Sequence, residues 1–259
     1  MRRPLHWAAA ALVLLAVLAT VLASLPAAWL APLLERQTDG RLSLGDPEGS
    51  VWHGSAFIGV TGSGDEALVP LLPGRFRWRL SPLALIGRVD ATVQNPRALT
   101  APLAIRGSWR HWEIGDGSLS LPAERLAALG APLNTVRPSG QMRLSWSALS
   151  LARSASGLQI DGRMQLDLTQ VASALSPVKP LGAYRMQFDW QGGAARVDLK
   201  SLSGPLLLEG RGTLADGRLQ FSGQAWAAQG EEQRLAILLN LLGQRRQVGN
   251  RNVIALEFR

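Results

Sequence analysis

The chain has 259 residues, a formal net charge of +8 and no cysteine. The absence of cysteine excludes disulfide bridges and thiolate metal sites. The basic residues are almost all arginines scattered singly along the chain, which favours contact with an anionic surface and argues against nucleic-acid binding, where basic residues cluster.

The first predicted element is a membrane anchor. Residues 7–25 are uncharged and apolar, and a run of about 20 such residues is long enough for a helix to cross a bilayer. Because Arg2 and Arg3 precede the run, the positive-inside rule predicts a cytoplasmic N-terminus at 1–6, a transmembrane helix at 7–25 and a periplasmic domain at 26–259. A cleaved signal peptide is the alternative. It fits less well, because leucine occupies positions that a cleavage site reserves for small residues.

The segment GSVWHG, residues 49–54, raises the question of a catalytic or ligand-binding loop. It holds His53, one of three histidines, beside Trp52 and between two glycines. A catalytic histidine needs partner groups, and neither a second histidine at metal-ligand spacing nor a suitably spaced carboxylate accompanies it. We therefore interpret the segment as a structural turn in which Trp52 packs, and we expect His53 to be dispensable.

From about residue 36 onward, apolar and polar residues alternate with a period of two, which is typical of strands with one buried and one solvent-facing side. In RFRWRL, residues 75–80, the arginines Arg75, Arg77 and Arg79 share one side. Burying three unpaired guanidinium groups costs too much free energy. This side is therefore predicted to meet water, carboxylates or an anionic surface, either as a solvated strand or as an interaction stripe for an acidic partner or the membrane.

Later segments repeat the alternation, and glycine-containing and proline-containing turns separate them. The segments are QMRLSWSAL (141–149), GRMQLDL (162–168), YRMQFDW (184–190), RLQFSGQA (218–225) and VIALEF (253–258). The pattern predicts a mainly β protein, with an antiparallel, curved sheet or a sandwich. The pairs that begin at Asp116, Asp161 and Asp216 are Asp-Gly, which suggests tight hairpins there.

Two or three short helices are predicted within this β-rich domain. The segment 122–130 has proline near its start and glycine at its end, and 168–177 resembles a short helical turn before a proline. The strongest case is 231–243, where leucines recur at helical spacing after two glutamates.

No motif for catalysis or for cofactor binding is found. His6, His53 and His111 lack the spacing of metal ligands, and neither a nucleophile elbow nor a phosphate-binding loop is present. We therefore predict a protein that is not an enzyme and has no cofactor and no metal.

The order of these segments resembles the type II secretion system protein N family, also called general secretion pathway protein N. The family's G-T-V-W-x-G turn is matched at Gly49, Val51, Trp52 and Gly54, with Ser50 where threonine is usual. A W-x-L-x-P strand end and four later segments extend the resemblance over nearly the whole chain: LGAYRMQFDWQGG, LSGPLLLEGRGTL, GRLQFSGQAWA and LAILLNLLG. The matching residues in these segments are Trp78, Leu80, Pro82, Gly182, Tyr184, Gly204, Pro205 and Leu206.

The resemblance implies an accessory inner-membrane component of the type II secretion machinery, which exports folded periplasmic proteins across the outer membrane of Gram-negative cells. It implies no catalytic residues, and its expected partners are other subunits of the inner-membrane platform or the secretin. The order of strands and helices is also similar to AsmA-like domains, whose curved sheets can form an apolar groove. A periplasmic protein that binds or handles lipid is therefore the alternative function.

Overall fold

The computed structural model describes residues 3–38, 40, 42–60, 69–70, 72–125, 137–154, 157–215, 218–243, 245–248 and 251–258. Within these residues the helices are α1 (Arg3–Ala23), α2 (Leu30–Gln37) and α3 (Glu232–Leu242), with 3₁₀ helices η1 (Ala27–Trp29) and η2 (Pro82–Ile86). The strands are β1 (Leu42–Gly49), β2 (His53–Val60), β3 (Val69–Pro70), β4 (Phe76–Leu80), β5 (Arg88–Gln94), β6 (Leu103–Ser108), β7 (His111–Ile114), β8 (Gly117–Pro122), β9 (Pro138–Trp146), β10 (Leu149–Ser154), β11 (Gly157–Ser173), β12 (Gly182–Gly192), β13 (Ala194–Ser203), β14 (Leu206–Ala215), β15 (Arg218–Ala227), β16 (Arg245–Val248) and β17 (Arg251–Phe258).

All of these strands belong to one antiparallel sheet, so the predicted mainly β, antiparallel class is confirmed and the alternative of two packed sheets is not adopted. The main path across the sheet runs β1, β2, β4, β5, β6, β7, β10, β11, β12, β13, β14, β15, β17 and β16. The long β11 pairs with β10 through its first part and with β9 through its second part, and β8 continues from β9. Register shifts place an extra residue in β1, β11 and β13, and such bulges bend a strand locally.

The predicted alternation gives the sheet two different faces. Met164, Phe188 and Val197 follow one another across β11, β12 and β13, and the next positions along these strands are Gln165, Gln187 and Asp198. We call the side that carries the first row the apolar face and the side that carries the second row the polar face. The antiparallel register keeps each row continuous from strand to strand, because residues directly opposite each other point to the same side.

The best-packed core lies where α3 covers the C-terminal strands. Leu235 and Leu238 of α3 are buried against Val178, Leu181 and Leu206. A second cluster joins β15 to β17 and comprises Phe221, Ala225, Ile254 and Leu256. The helix predicted at 231–243 is thus confirmed, since its leucine face supplies the apolar surface that closes this end of the sheet.

The helix predicted at 168–177 is wrong: the segment up to Ser173 is the end of β11, and the residues after it form a turn. The register shifts between Leu168 and Val171, and Gln170 adopts a positive φ of 51°. The bulge inserts an extra residue, so apolar residues recur at three-residue spacing and imitate a helix. Strands β9 and β12 pair on either side and satisfy the backbone groups of this segment. Of the helix predicted at 122–130, residues 126–130 lie outside the described residues.

The Asp-Gly pairs do not behave alike. Asp161 and the glycine after it lie inside β11, where Asp161 pairs with β10 and β12 and its Oδ1 accepts a hydrogen bond from Gly192 N at 3.0 Å. The pair at Asp116 connects β7 to β8, which pair with other strands and not with each other. The pair at Asp216 joins the paired strands β14 and β15, but it lies outside the described residues.

Most of the predicted anchor at 7–25 falls in α1. Over the described residues, no helix combines the length and the apolar character required for a membrane span. The anchor is therefore not confirmed and stays a prediction.

Candidate functional site

The end of α1 is fastened to the sheet by the turn that contains Trp52. The intrahelical partner of the Leu22 carbonyl would be the amide of residue 26, but Pro26 has no N–H to donate. Trp52 Nε1 donates to the Leu22 carbonyl instead, at 2.6 Å, and Trp52 is only 6% exposed. The turn thus supplies a hydrogen bond that the helix cannot supply for itself.

Further bonds join the same turn to the linker after α1 and to β4. Val51 N donates to the Leu25 carbonyl at 2.8 Å, and Leu80 N donates to the Trp52 carbonyl at 2.7 Å. Trp78 Nε1 donates to the Val51 carbonyl at 3.0 Å. Four of the residues that carry the family resemblance therefore meet at one place. We call the site formed by Leu22, Leu25, Val51, Trp52, Trp78 and Leu80 the junction.

Glycines make the close packing of the junction feasible. Gly49 has a φ of 81°, in the left-handed region that favours glycine, and a Cβ there would lie 2.5 Å from the His53 carbonyl oxygen. A Cβ on Gly54 would overlap the indole ring of Trp78. Pro82 begins η2 directly beyond β4, and the exposed His53 lies opposite Arg79 across the β2–β4 pair.

The remaining resemblance residues form a second cluster at the strand ends that lie away from the junction. Tyr184 is buried, and its hydroxyl donates to the Leu206 carbonyl at 3.0 Å. Burial raises the pKa of Tyr184 well above its usual range. Gly182 and Gly204 let two backbone segments touch, because a Cβ on Gly204 would overlap the Cα of Gly182. Pro205 adds a carbonyl that accepts a hydrogen bond from Ala228 N at 2.7 Å.

The predicted arginine stripe is divided by the structure. Arg75 precedes β4 and is held by neighbouring side chains: its Nε donates to Ser55 Oγ at 2.9 Å, and its guanidinium lies 4.9 Å from the centre of the Phe57 ring. It also forms ion pairs with two carboxylates of β1, Asp46 at 3.0 Å and Glu48 at 3.2 Å.

Arg77 and Arg79, in contrast, are exposed on the polar face. Neither forms an ion pair with any residue in the described part of the chain. The structure thus offers only two of the three arginines to a partner, and their role in an interaction stays a prediction.

The shortest ion pair among the described residues lies on the polar face and joins β11 to β12. Arg185 Nε lies 2.6 Å from Asp167 Oδ1, and both side chains are partly buried. Burial raises the pKa of Asp167, but hydrogen bonds from Arg185 and Gln165 and the positive charges of Arg185 and Arg143 lower it by more, so the pKa lies below its usual value. The hydrogen bond to Asp167 raises the pKa of Arg185.

Other ion pairs cross the polar face between neighbouring strands. Those of the C-terminal half are Arg163–Asp189 at 3.9 Å, Arg211–Asp198 at 3.1 Å and Arg246–Glu257 at 3.5 Å. Because these pairs are exposed, each contributes at most about 1 kcal/mol to stability. Within the described residues, no group of three or more His, Cys, Asp or Glu side chains is placed to hold a metal ion.

A comparison with protein families decides what kind of protein carries these sites. The family model described as Type II secretion system (T2SS), protein N matches residues 40–253. The chain belongs to this family. The match to type II secretion protein N includes both groups of resemblance residues, those of the junction turn and those of the second cluster. No match was found among curated proteins or among solved structures.

Membership in the type II secretion protein N family makes the chain a component of the type II secretion system. It implies interaction with other subunits of that system and points to a membrane-associated location. The comparisons do not favour the alternative of a lipid-handling protein, and they do not show the similarity to AsmA-like domains.

Sequence reasoning missed the hydrogen bonds of the junction and the ion pairs of Arg75 in this type II secretion protein N. The hydrogen bond from Trp52 to Leu22 joins residues 30 positions apart. A usable signal was present, because Pro26 follows the apolar helix and leaves a carbonyl without its donor. The partners of Arg75 also come from a distant strand, and no local pattern marks them.

Because Arg75 is paired and Arg77 and Arg79 are not, we expect substitutions of these arginines to change the stability of protein N by different amounts. Arg75→Gln should lower the free energy of unfolding by about 1–2 kcal/mol, because it removes a partly buried hydrogen bond to Ser55 together with the ion pairs to the exposed carboxylates of Asp46 and Glu48. The double variant Arg77→Gln/Arg79→Gln should stay within about 0.5 kcal/mol of wild type, since both side chains are exposed. Urea unfolding followed by circular dichroism compares them, and equal losses in the two variants would contradict the division.

Proposed function

We propose that this protein is an accessory, non-enzymatic subunit of the type II secretion machinery that is anchored in the inner membrane. In this proposal α1 crosses the membrane with its N-terminus in the cytoplasm, and the β-sheet stands in the periplasm. The sheet contacts other subunits of the inner-membrane platform or the secretin. Export of folded periplasmic proteins across the outer membrane depends on these contacts.

The character of α1 supports the anchor. Seven of its large apolar side chains, all between residues 12 and 21, are more than half exposed. In water this would be an unfavourable apolar surface, whereas in hydrocarbon it is the surface that a spanning helix presents. The side chains concerned are Leu12, Val13, Leu14, Leu15, Val17, Leu18 and Val21.

The junction is the observation that carries the proposal. A subunit that works between an anchor and periplasmic partners needs a defined connection between them. Here Trp52 Nε1 and Val51 N donate to the carbonyls of Leu22 and Leu25, so hydrogen bonds join the turn between β1 and β2 to the end of α1.

The edges of the sheet support docking of other subunits. In the described residues β16 pairs only with β17 and so presents a free edge of backbone groups, whereas β1 pairs with β2 and is also contacted by α2. Such an edge can accept a strand from another protein through main-chain hydrogen bonds.

Deletion tests the secretion role. Removing the gene should reduce the amount of a type II substrate in the medium several-fold and leave that substrate folded in the periplasm, and the wild-type gene should restore export. The matched control is a periplasmic protein that does not use this system, which should remain unchanged. Normal export in the deletion strain would overturn the proposed role.

A fusion tests the topology separately. A reporter enzyme that is active only in the periplasm should be active when it is joined to the C-terminal end of the chain. The protein should also remain with the membrane fraction and keep its original N-terminus. An inactive reporter would reject the orientation, and an N-terminus that begins near Ala27 would replace the anchor with a signal peptide.

A further inference from the structure

Exposed apolar side chains gather at the end of the sheet next to the junction. Trp29 lies in η1, Leu83, Leu85 and Ile86 lie in η2, and Trp109 lies in the turn between β6 and β7. These five residues are 45% to 78% exposed. We call them the rim. Scattered apolar residues on a surface need no explanation, but a local group of large ones marks a site of contact.

Hydrogen bonds hold the parts of the rim close to the end of α1. Trp109 Nε1 donates to the Ala84 carbonyl at 2.7 Å, which ties the β6–β7 turn to η2. The strand before η2 is in turn tied to the junction, because Leu80 N donates to the carbonyl of Trp52. Only residues 24–26 separate α1 from η1, so the start of η1 lies at most about 14 Å from the end of α1.

Three arginines stand beside the rim. Arg79 lies near the end of β4, Arg88 begins β5 directly after η2, and Arg110 follows Trp109. All three are exposed, and none pairs with a carboxylate among the residues that the structure describes. On the C-terminal half of the polar face, in contrast, Arg163, Arg185 and Arg211 each pair with an acid on the next strand.

We propose that the rim lies in the headgroup region of the bilayer that holds α1, with the three arginines on anionic lipid headgroups. This inference rests on the proposed anchor. Tryptophan and aliphatic side chains flanked by arginine are the composition of surfaces that sit at the membrane interface. Because the Trp109 N–H is already bonded within the protein, the exposed part of its ring adds apolar surface that the interface accepts.

The position of the rim favours lipid over a protein partner. A rim that is tied to the end of a spanning helix stays within a short distance of the membrane surface at all times. The unpaired arginines add attraction to anionic lipid, which acts over about 8–10 Å at physiological salt. A docked protein would have to enter the space between the rim and the bilayer.

The lack of cysteine makes a direct test feasible, because a single introduced cysteine is the only labelling site. Leu85→Cys and Leu202→Cys are a matched pair: both leucines are 46% exposed, but Leu202 lies near the end of β13 that is remote from the junction. Each full-length variant carries an environment-sensitive dye and is reconstituted into vesicles of phosphatidylcholine and phosphatidylglycerol. Lipids with a quencher near the headgroup then report contact.

The dye at position 85 should be quenched several-fold more than the dye at 202, and Ile86→Cys should behave like Leu85→Cys. In the Leu85→Cys background, adding Arg79→Gln, Arg88→Gln and Arg110→Gln should reduce the quenching, and so should replacing phosphatidylglycerol with phosphatidylcholine. Equal quenching at 85 and 202 in protein that floats with the vesicles would overturn the rim contact and leave the anchor standing. Protein that fails to float would overturn both.

Discussion

Replacing Trp52 with alanine is expected to lower the free energy of unfolding by about 3–5 kcal/mol, the usual cost of truncating a buried tryptophan. The loss has two sources, the cavity left by the indole and the Leu22 carbonyl that loses its donor. Chemical denaturation in detergent, followed by circular dichroism, measures it.

Trp52→Phe separates the two sources. Phenylalanine keeps most of the apolar contact but has no N–H, so this variant should lose about 1–3 kcal/mol, the cost of leaving a polar group unpaired. Trp109→Ala is the matched control, because Trp109 also donates through its indole but is exposed. If the alanine variant at position 52 unfolds at the same denaturant concentration as the wild type, the junction does not stabilise the fold.

Gly204→Ala is expected to lower the free energy of unfolding by about 2–6 kcal/mol through steric overlap and backbone strain. The φ of Gly204 is 114°, and an added Cβ would overlap the Cα of Gly182 and lie 2.6 Å from the Leu181 carbonyl oxygen. Both obstacles are backbone atoms, so neither can rotate away. The turn between β13 and β14 would have to open, and it positions Leu206 in the core beneath α3.

The control for this prediction is Gly193→Ala, in the turn between β12 and β13. A Cβ there meets no atom within 4 Å, so the variant should stay within about 1 kcal/mol of wild type. Thermal unfolding of the two variants side by side provides the comparison. Similar midpoints for the Gly204 and Gly193 variants would show that the two backbone segments are not in contact.

Local patterns predicted the strands well, because each strand carries its own alternation and each face is read from neighbouring residues. The helix α3 was predictable for the same reason, since its leucine face and its first-turn glutamate lie within one segment. The error at 168–173 arose where one extra residue, at the Gln170 bulge, broke the phase of the alternation. A periodicity argument reads such a break as a change of element.

Features that depend on distant residues were not predictable. The Asp-Gly pair at Asp161 would make a good hairpin in isolation, but β10 and β12 pair on both sides of it and keep it extended. The arginine stripe was inferred from the alternation alone. In the structure Arg75 forms ion pairs with Asp46 and Glu48 of β1 and so differs from the other two arginines. For the junction, the sequence contains Trp52 and Pro26, but no local pattern indicates that Trp52 bonds to the carbonyl that Pro26 leaves without a donor.

The ion pairs between β11 and β12 have a consequence for how accurately the chain can fold. A slip of two residues would leave each strand's apolar side on the same face, so apolar packing alone would not reject it: Met164 would meet Trp190 instead of Phe188. The same slip would place Asp167 opposite Gln187 and so separate it from Arg185. The ion pairs between β11 and β12 therefore favour the observed register and disfavour slipped pairings that hydrophobic burial alone would tolerate.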